Sequence, residues 1–162
     1  MKNKGFTLIE LVVVIVILGI LSAVSAPRFL NLATEARTAA LVGLKGTISS
    51  SAEIAHSKLA VLGLENAPYV LSILDSKISS WCKLCAFEYG YPSTMQNTWS
   101  HIATGIGVEE DFSAGVIRGT NRVVFSLNEN INGGILETDH CYIEYTPATE
   151  SEKYKLYLME CR

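Results

Sequence analysis

The sequence predicts an α+β chain, in which a long amino-terminal α-helix leads into a carboxyl-terminal antiparallel β-sheet domain. Three observations carry this expectation. Phe6 to Ala26 is a run of 21 residues whose only polar members are Thr7, Glu10, Ser22 and Ser25. Beyond it, apolar residues recur at intervals of three, four or seven as far as Leu62. The last third of the chain then holds short β-branched and aromatic runs separated by turn residues.

As a helix, the apolar run would span about 31 Å, enough for a bilayer core of about 30 Å. Leu11 to Leu18 show no periodicity, so such a helix is apolar all round and needs lipid or other helices about it. Lys2 and Lys4 precede the run, and no Lys or Arg follows until Arg28. This asymmetry keeps the amino terminus cytoplasmic and exports the rest. Ala23-Val24-Ser25-Ala26 could also pass for the cleavage site of a secretory signal. Against that reading, the apolar run is long, and a cut after Ala26 would discard Glu10 without explaining it.

In the second segment, Leu30, Ala33, Ala40, Leu44, Ile48, Ala52, Ala55, Leu59 and Leu62 form one stripe. Arg28, Glu35, Arg37, Lys45, Glu53 and Lys58 supply the wetter side, and Gly63 suits the position just past the helix end. Pro27 is expected to kink the helix. Gly43 and Gly46 each weaken it by about 1 kcal/mol relative to Ala, and Gly46 is expected to allow close approach to the sheet. Four segments follow from this reading: 1–5, 6–26, 27–63 and a globular domain over 64–162.

Within that domain, Pro68 to Ser80 carries apolar residues at 70, 71, 74 and 78 and reads as a short helix. Ser93 or Thr94 would cap a further helix through Trp99 to about Thr104. Strands are expected over 122–127, 142–145 and 154–158. Thr146 to Lys153 would join the last two into a hairpin, and Gly133-Gly134 marks another turn.

Gly5-Phe6-Thr7-Leu8-Ile9-Glu10, ahead of an apolar helix and behind a basic leader, resembles the processing signature of type IV prepilins. Ala26-Pro27-Arg28-Phe29-Leu30-Asn31-Leu32, Gly90-Tyr91-Pro92-Ser93 and the Cys-terminated end are similar, more loosely, to pilins of the mannose-sensitive haemagglutinin type. The resemblance implies the pilin fold and removal of residues 1–5 by a membrane prepilin peptidase cutting between Gly5 and Phe6. It also implies N-methylation of Phe6, a single-pass stay in the bacterial inner membrane, and assembly into an extracellular filament of identical subunits that attaches to surfaces. A membrane assembly platform and a cytoplasmic ATPase would drive that assembly. In the same architecture, a type II secretion pseudopilin or a minor pilin is the alternative.

Glu10 fits this picture at a definite cost. An acid at a helix centre is penalised by about 2.5–3.5 kcal/mol, less near an end. It can complement its own helix terminus and the new amine of Phe6, worth about 0.3–1 kcal/mol. The resemblance implies instead that Glu10 pairs with the Phe6 amine of a neighbouring subunit and sets axial register.

Four cysteines, at 82, 85, 141 and 161, allow three pairings. The expected pairs are Cys82–Cys85 in a tight loop and Cys141–Cys161 across the terminal hairpin. The second matches the carboxyl-terminal disulfide loop of the pilins resembled, whereas the first departs from that pattern. Cys82-Lys83-Leu84-Cys85 alone could be half a zinc site or a redox motif. Zinc would need a second close pair, and a membrane-anchored thiol oxidoreductase would need a βαβ setting.

Other chemistry is sparse. His56, His101 and His140 stand apart, no metal or cofactor motif occurs, and Glu109-Glu110-Asp111 reads as a solvated acidic loop. Trp81, Tyr89, Tyr91 and Trp99 could stack on a sugar but read better as core or subunit contacts. Without the leader, 11 basic side chains face 16 acidic ones, a net charge of −5 that argues against general nucleic-acid binding.

Overall fold

A computed structural model describes residues 7–107, 109–120 and 122–162, and for 26–31 the backbone alone. The chain divides into two units, residues 1–36 and 37–162.

The first unit holds the start of helix α1 (Leu8–Val61). From Leu8 to Ser25 it is long and apolar enough to cross a membrane, and none of that window is buried within the chain. Leu8, Leu11, Ile15, Leu18 and Leu21 are all more than half exposed. A surface of this kind persists only where lipid or other helices cover it. The backbone continues as α-helix through Pro27.

The second unit is built on the remaining turns of α1, where Leu41, Leu44, Ile48, Ser51, Ala52, Ala55 and Leu59 are buried. The expected stripe is therefore corrected at its start. Ala33 and Ala40 are exposed, and Leu41 takes the inward place. The last turn of the helix ends in a Schellman motif. Leu64 N–H donates to Leu59 O at 2.9 Å and Gly63 N–H to Ala60 O at 3.0 Å, with Gly63 left-handed at φ +70°. Gly46 does not approach the sheet as expected. A Cβ there would meet nothing within 4 Å, because the residue faces away from the core.

Two sheets pack in this unit. The smaller has the order β1 (Val70–Leu71), β2 (Ala86–Glu88), β3 (Tyr91–Pro92). The segment expected to be one helix over 68–80 is instead β1, a 3₁₀ turn (Ser72–Leu74) and a single helical turn, α2 (Ser76–Ser79). Val70 and Leu71 pair with Phe87 and Ala86, so tertiary pairing overrides a spacing that also suited a helix. Asp75 Oδ1 accepts from Lys77 N–H at 2.8 Å and starts α2 afresh. Helix α3 (Gln96–Ile102) has Met95 at its cap position and stops two residues before Thr104. Ser93 does not cap it. Its Oγ accepts from Met95 N–H at 3.2 Å and its carbonyl from Trp99 Nε1–H at 3.2 Å.

The larger sheet adds β4 (Phe112–Val116), β5 (Val123–Leu127), β6 (Ile131–Asn132), β7 (Ile135–Leu136), β8 (Tyr142–Thr146) and β9 (Lys155–Met159), in the order β6-β7-β4-β5-β8-β9. Every pairing is antiparallel except β4 with β7. Gly133 and Gly134, both at positive φ, turn β6 into β7. The helix and the sheet share one core around Trp99, whose ring meets Phe125 edge-on at 5.0 Å and Tyr145 at 4.7 Å. Ile48, Phe125 and Ile143 are fully buried in it, each worth about 1.5–3 kcal/mol by transfer. A second cluster, with Leu59, Ile78, Cys82, Cys85 and Phe87, lies under the smaller sheet.

Candidate functional site

The start of α1 is the first region of interest. Gly5 and Phe6, the expected cleavage and methylation residues, lie outside the described residues. Thr7 and Glu10 lie within them and form a reciprocal cap. Glu10 Oε2 accepts from Thr7 N–H at 2.9 Å and from Thr7 Oγ1–H at 2.7 Å, while Glu10 N–H reaches Thr7 Oγ1 at 3.4 Å. This is the capping box of a Thr-x-x-Glu sequence, in which two donors that a helix start leaves unpaired find partners. Glu10 thus has partners in its own chain, and its side chain remains exposed on the segment. Thr7 is a site residue that the sequence reading did not single out, although its spacing of three from Glu10 is the signal that marks it.

The second region is the carboxyl-terminal hairpin. Cys141 and Cys161 are joined, immediately before β8 and two residues after β9. Cys141 N–H donates to Glu160 O at 3.2 Å, and Cys161 N–H to Thr38 Oγ1 at 3.2 Å, which ties the closed loop to α1. A loop of 20 residues stabilises the fold by about 3 kcal/mol in the chain-entropy treatment. Non-reducing peptide mapping should recover Cys141 with Cys161, and a Cys82–Cys141 peptide would contradict this arrangement.

Cys82 and Cys85 are joined between α2 and β2. Both are buried, at 1% and 0% exposure, so an attacking thiolate has no access to either sulfur. That argues against thiol exchange at this pair. Among the described residues no three His, Cys, Asp or Glu side chains are placed to hold a metal ion. Glu109, Glu110 and Asp111 are exposed.

The aromatic residues do not form a platform. Trp99 is in the core, and Tyr91 stacks on His56 at 4.3 Å with the rings 7° from parallel. Trp81 packs on Phe87 and lies under Lys58 Nζ at 4.5 Å. Tyr89 and Gly90, at φ +48° and +78°, make the two-residue turn between β2 and β3. A two-residue hairpin of this twist needs positive φ at both positions. His56 Nδ1–H donates to Gly90 O at 3.3 Å and His101 Nδ1–H to Asn97 O at 2.7 Å, whereas His140 Nδ1 lies 2.7 Å from Asp139 Oδ1.

Residues 1–26 match the family described as the prokaryotic N-terminal methylation motif. Over 55 residues the chain is 47% identical to the type IV narrow pilus major component PilA5 of Thermus thermophilus. That stretch covers 34% of this chain and 47% of the relative, so the chain spans about half the length of the curated relative it matches. No solved structure matches the chain. The stretch that matches the methylation motif thus runs into an apolar helix with none of its Leu8–Ser25 window buried, joined to an α+β unit closed by two disulfides.

Proposed function

We propose that the chain is a structural subunit of a type IV pilus, held in the bacterial inner membrane as a precursor and assembled into a surface filament after loss of residues 1–5. One observation carries this reading most directly. The methylation motif coincides with an apolar helix that has no cover of its own and holds an acid in its first turn. A solvated enzyme has no use for such a surface, whereas a helix that moves from lipid into a bundle of its own kind does. The reading extends to cleavage at Gly5–Phe6 by a prepilin peptidase, methylation of Phe6, and assembly of like subunits by a membrane platform and its ATPase. Glu10 sets register against the Phe6 amine of the next subunit. Attachment to surfaces, as in pilins of the mannose-sensitive haemagglutinin type, is the proposed use of the filament.

Electron microscopy of surface filaments from cells with and without the gene tests this reading. Filaments that contain the subunit, and that vanish on deletion and return with the wild-type gene, are the expected result. Filaments unchanged by deletion, or lacking this chain, would contradict it.

A further inference from the structure

The two sheets of the second unit leave a cleft of about 470 Å³ where the end of β2 meets β5, β8 and β9. Its walls include Glu88, Thr94, Arg122, Glu144, Thr146 and Tyr157. Glu144 stands directly opposite Tyr157 in the β8–β9 register, so both side chains rise from the same face. The volume lies within the range that holds a small ligand.

The charges of this cleft do not close on themselves. Arg122 is committed to Glu144, with Nη1 2.9 Å from Oε1. Glu88 is half-buried and has no ion-pair or hydrogen-bond partner among the described residues. Burial holds its carboxyl above the ordinary glutamate range. Tyr145, which also borders the cleft, supplies no counter-charge. Its hydroxyl donates to Pro92 O at 2.5 Å and stays protonated, because burial, with Tyr154, Glu88 and Tyr91 nearby, drives its pKa far up. A half-buried carboxylate that meets no counter-charge in its own chain is a point at which a ligand can supply one.

We propose that this cleft binds a primary ammonium group carried on a flexible chain, the chemistry shared by a lysine side chain and a free diamine. An ammonium has three donors and no acceptor, and the Glu88 carboxylate with the Thr94 and Thr146 hydroxyls offers matching acceptors. The half-exposed ring of Tyr157 gives the alkyl chain an apolar wall and the cation a π-face. A divalent metal fits less well, since the described residues place no three acidic, His or Cys groups together. The site is separate from the start of α1 and from both disulfides, and the inference stands whether or not the chain forms filaments.

The test uses the full chain in detergent micelles, titrated by amide NMR with cadaverine, with Nα-acetyl-lysine methylamide, and with the uncharged Nα-acetyl-norleucine methylamide. Saturable shifts at Glu88, Thr146 and Tyr157 are expected with at least one amine and not with the norleucine compound. Cadaverine alone would point to a free amine, and the lysine compound alone to a protein side chain. Glu88→Gln should weaken binding at least about tenfold, the loss expected on removing a charged hydrogen-bond partner. If Glu88→Gln disturbs the rest of the spectrum, Tyr157→Ala on the exposed edge strand answers in its place and should also weaken binding. Absence of saturation, equal binding of the norleucine compound, or unchanged affinity in the variant used would overturn the inference.

Discussion

A Glu10→Ala subunit is expected to insert, lose its leader and fold, yet to yield few or no filaments. Removing the acid makes the helix more comfortable in lipid. It also deletes half of the capping box with Thr7, so on its own the result leaves two causes open. Glu10→Gln separates them. Glutamine serves in a capping box as glutamate does, but it carries no charge for the amine of a neighbouring Phe6. If register rests on charge, Glu10→Gln assembles as poorly as Glu10→Ala. If the cap alone matters, Glu10→Gln restores the yield and Thr7→Ala lowers it. The measurement is filament yield per unit of mature membrane subunit, and normal assembly of Glu10→Ala would remove the intersubunit role.

The second large effect concerns Gly90. Replacing it with alanine is expected to destabilise the second unit severely. A left-handed backbone at a non-glycine residue costs about 1–2 kcal/mol, and Gly90 has φ +78°. Its Cβ would also come within 2.6 Å of His56 Nδ1, 2.7 Å of Glu65 O and 2.9 Å of Glu65 Cα. Two of those atoms are backbone, so no side-chain rotation relieves the clash. The β2–β3 turn would have to leave residues 65–67 and break the bond from Tyr89 N–H to Ala67 O, at 2.8 Å. The total loss should be on the order of 3 kcal/mol, at the upper end for single substitutions. Gly46→Ala is the contrast. With open space about it on a helix, it should stabilise by up to about 1 kcal/mol. Denaturant midpoints of the two full-length variants check both signs, and a harmless Gly90→Ala would show that this turn is not built as described.

Those two glycines also mark the boundary of what is legible in the sequence. The long helix and its end are legible, because apolar spacing and Gly63 are local signals, and Gly63 sits in the Schellman motif. β5, β8 and β9 are legible within a residue or two, the first two from β-branched and aromatic runs and the last from alternation. β1, β2, β3, β6 and β7 are not, because strands of two or three residues are too short to carry a period. Their existence depends on partners such as Phe87 opposite Val70. Gly46 faces away from the core against expectation because spacing places a residue on a helix face without saying which face turns inward. Leu41 takes the place assigned to Ala40 for the same reason. At the start of α1, the charge of Glu10 stands out in the sequence more than the cap it completes with Thr7. The cleft at Glu88 has no sequence signal, since its walls come from residues as far apart as 88 and 157.

If this chain, cut at its motif, is what the filament is made of, the most direct measurement is the intact mass of the subunit sheared from the cell surface. The expected mass is that of a chain from Phe6 to Arg162 bearing one added methyl group and lacking the four hydrogens removed by two disulfides. A subunit that still carries Met1, or that begins near Pro27, would contradict it.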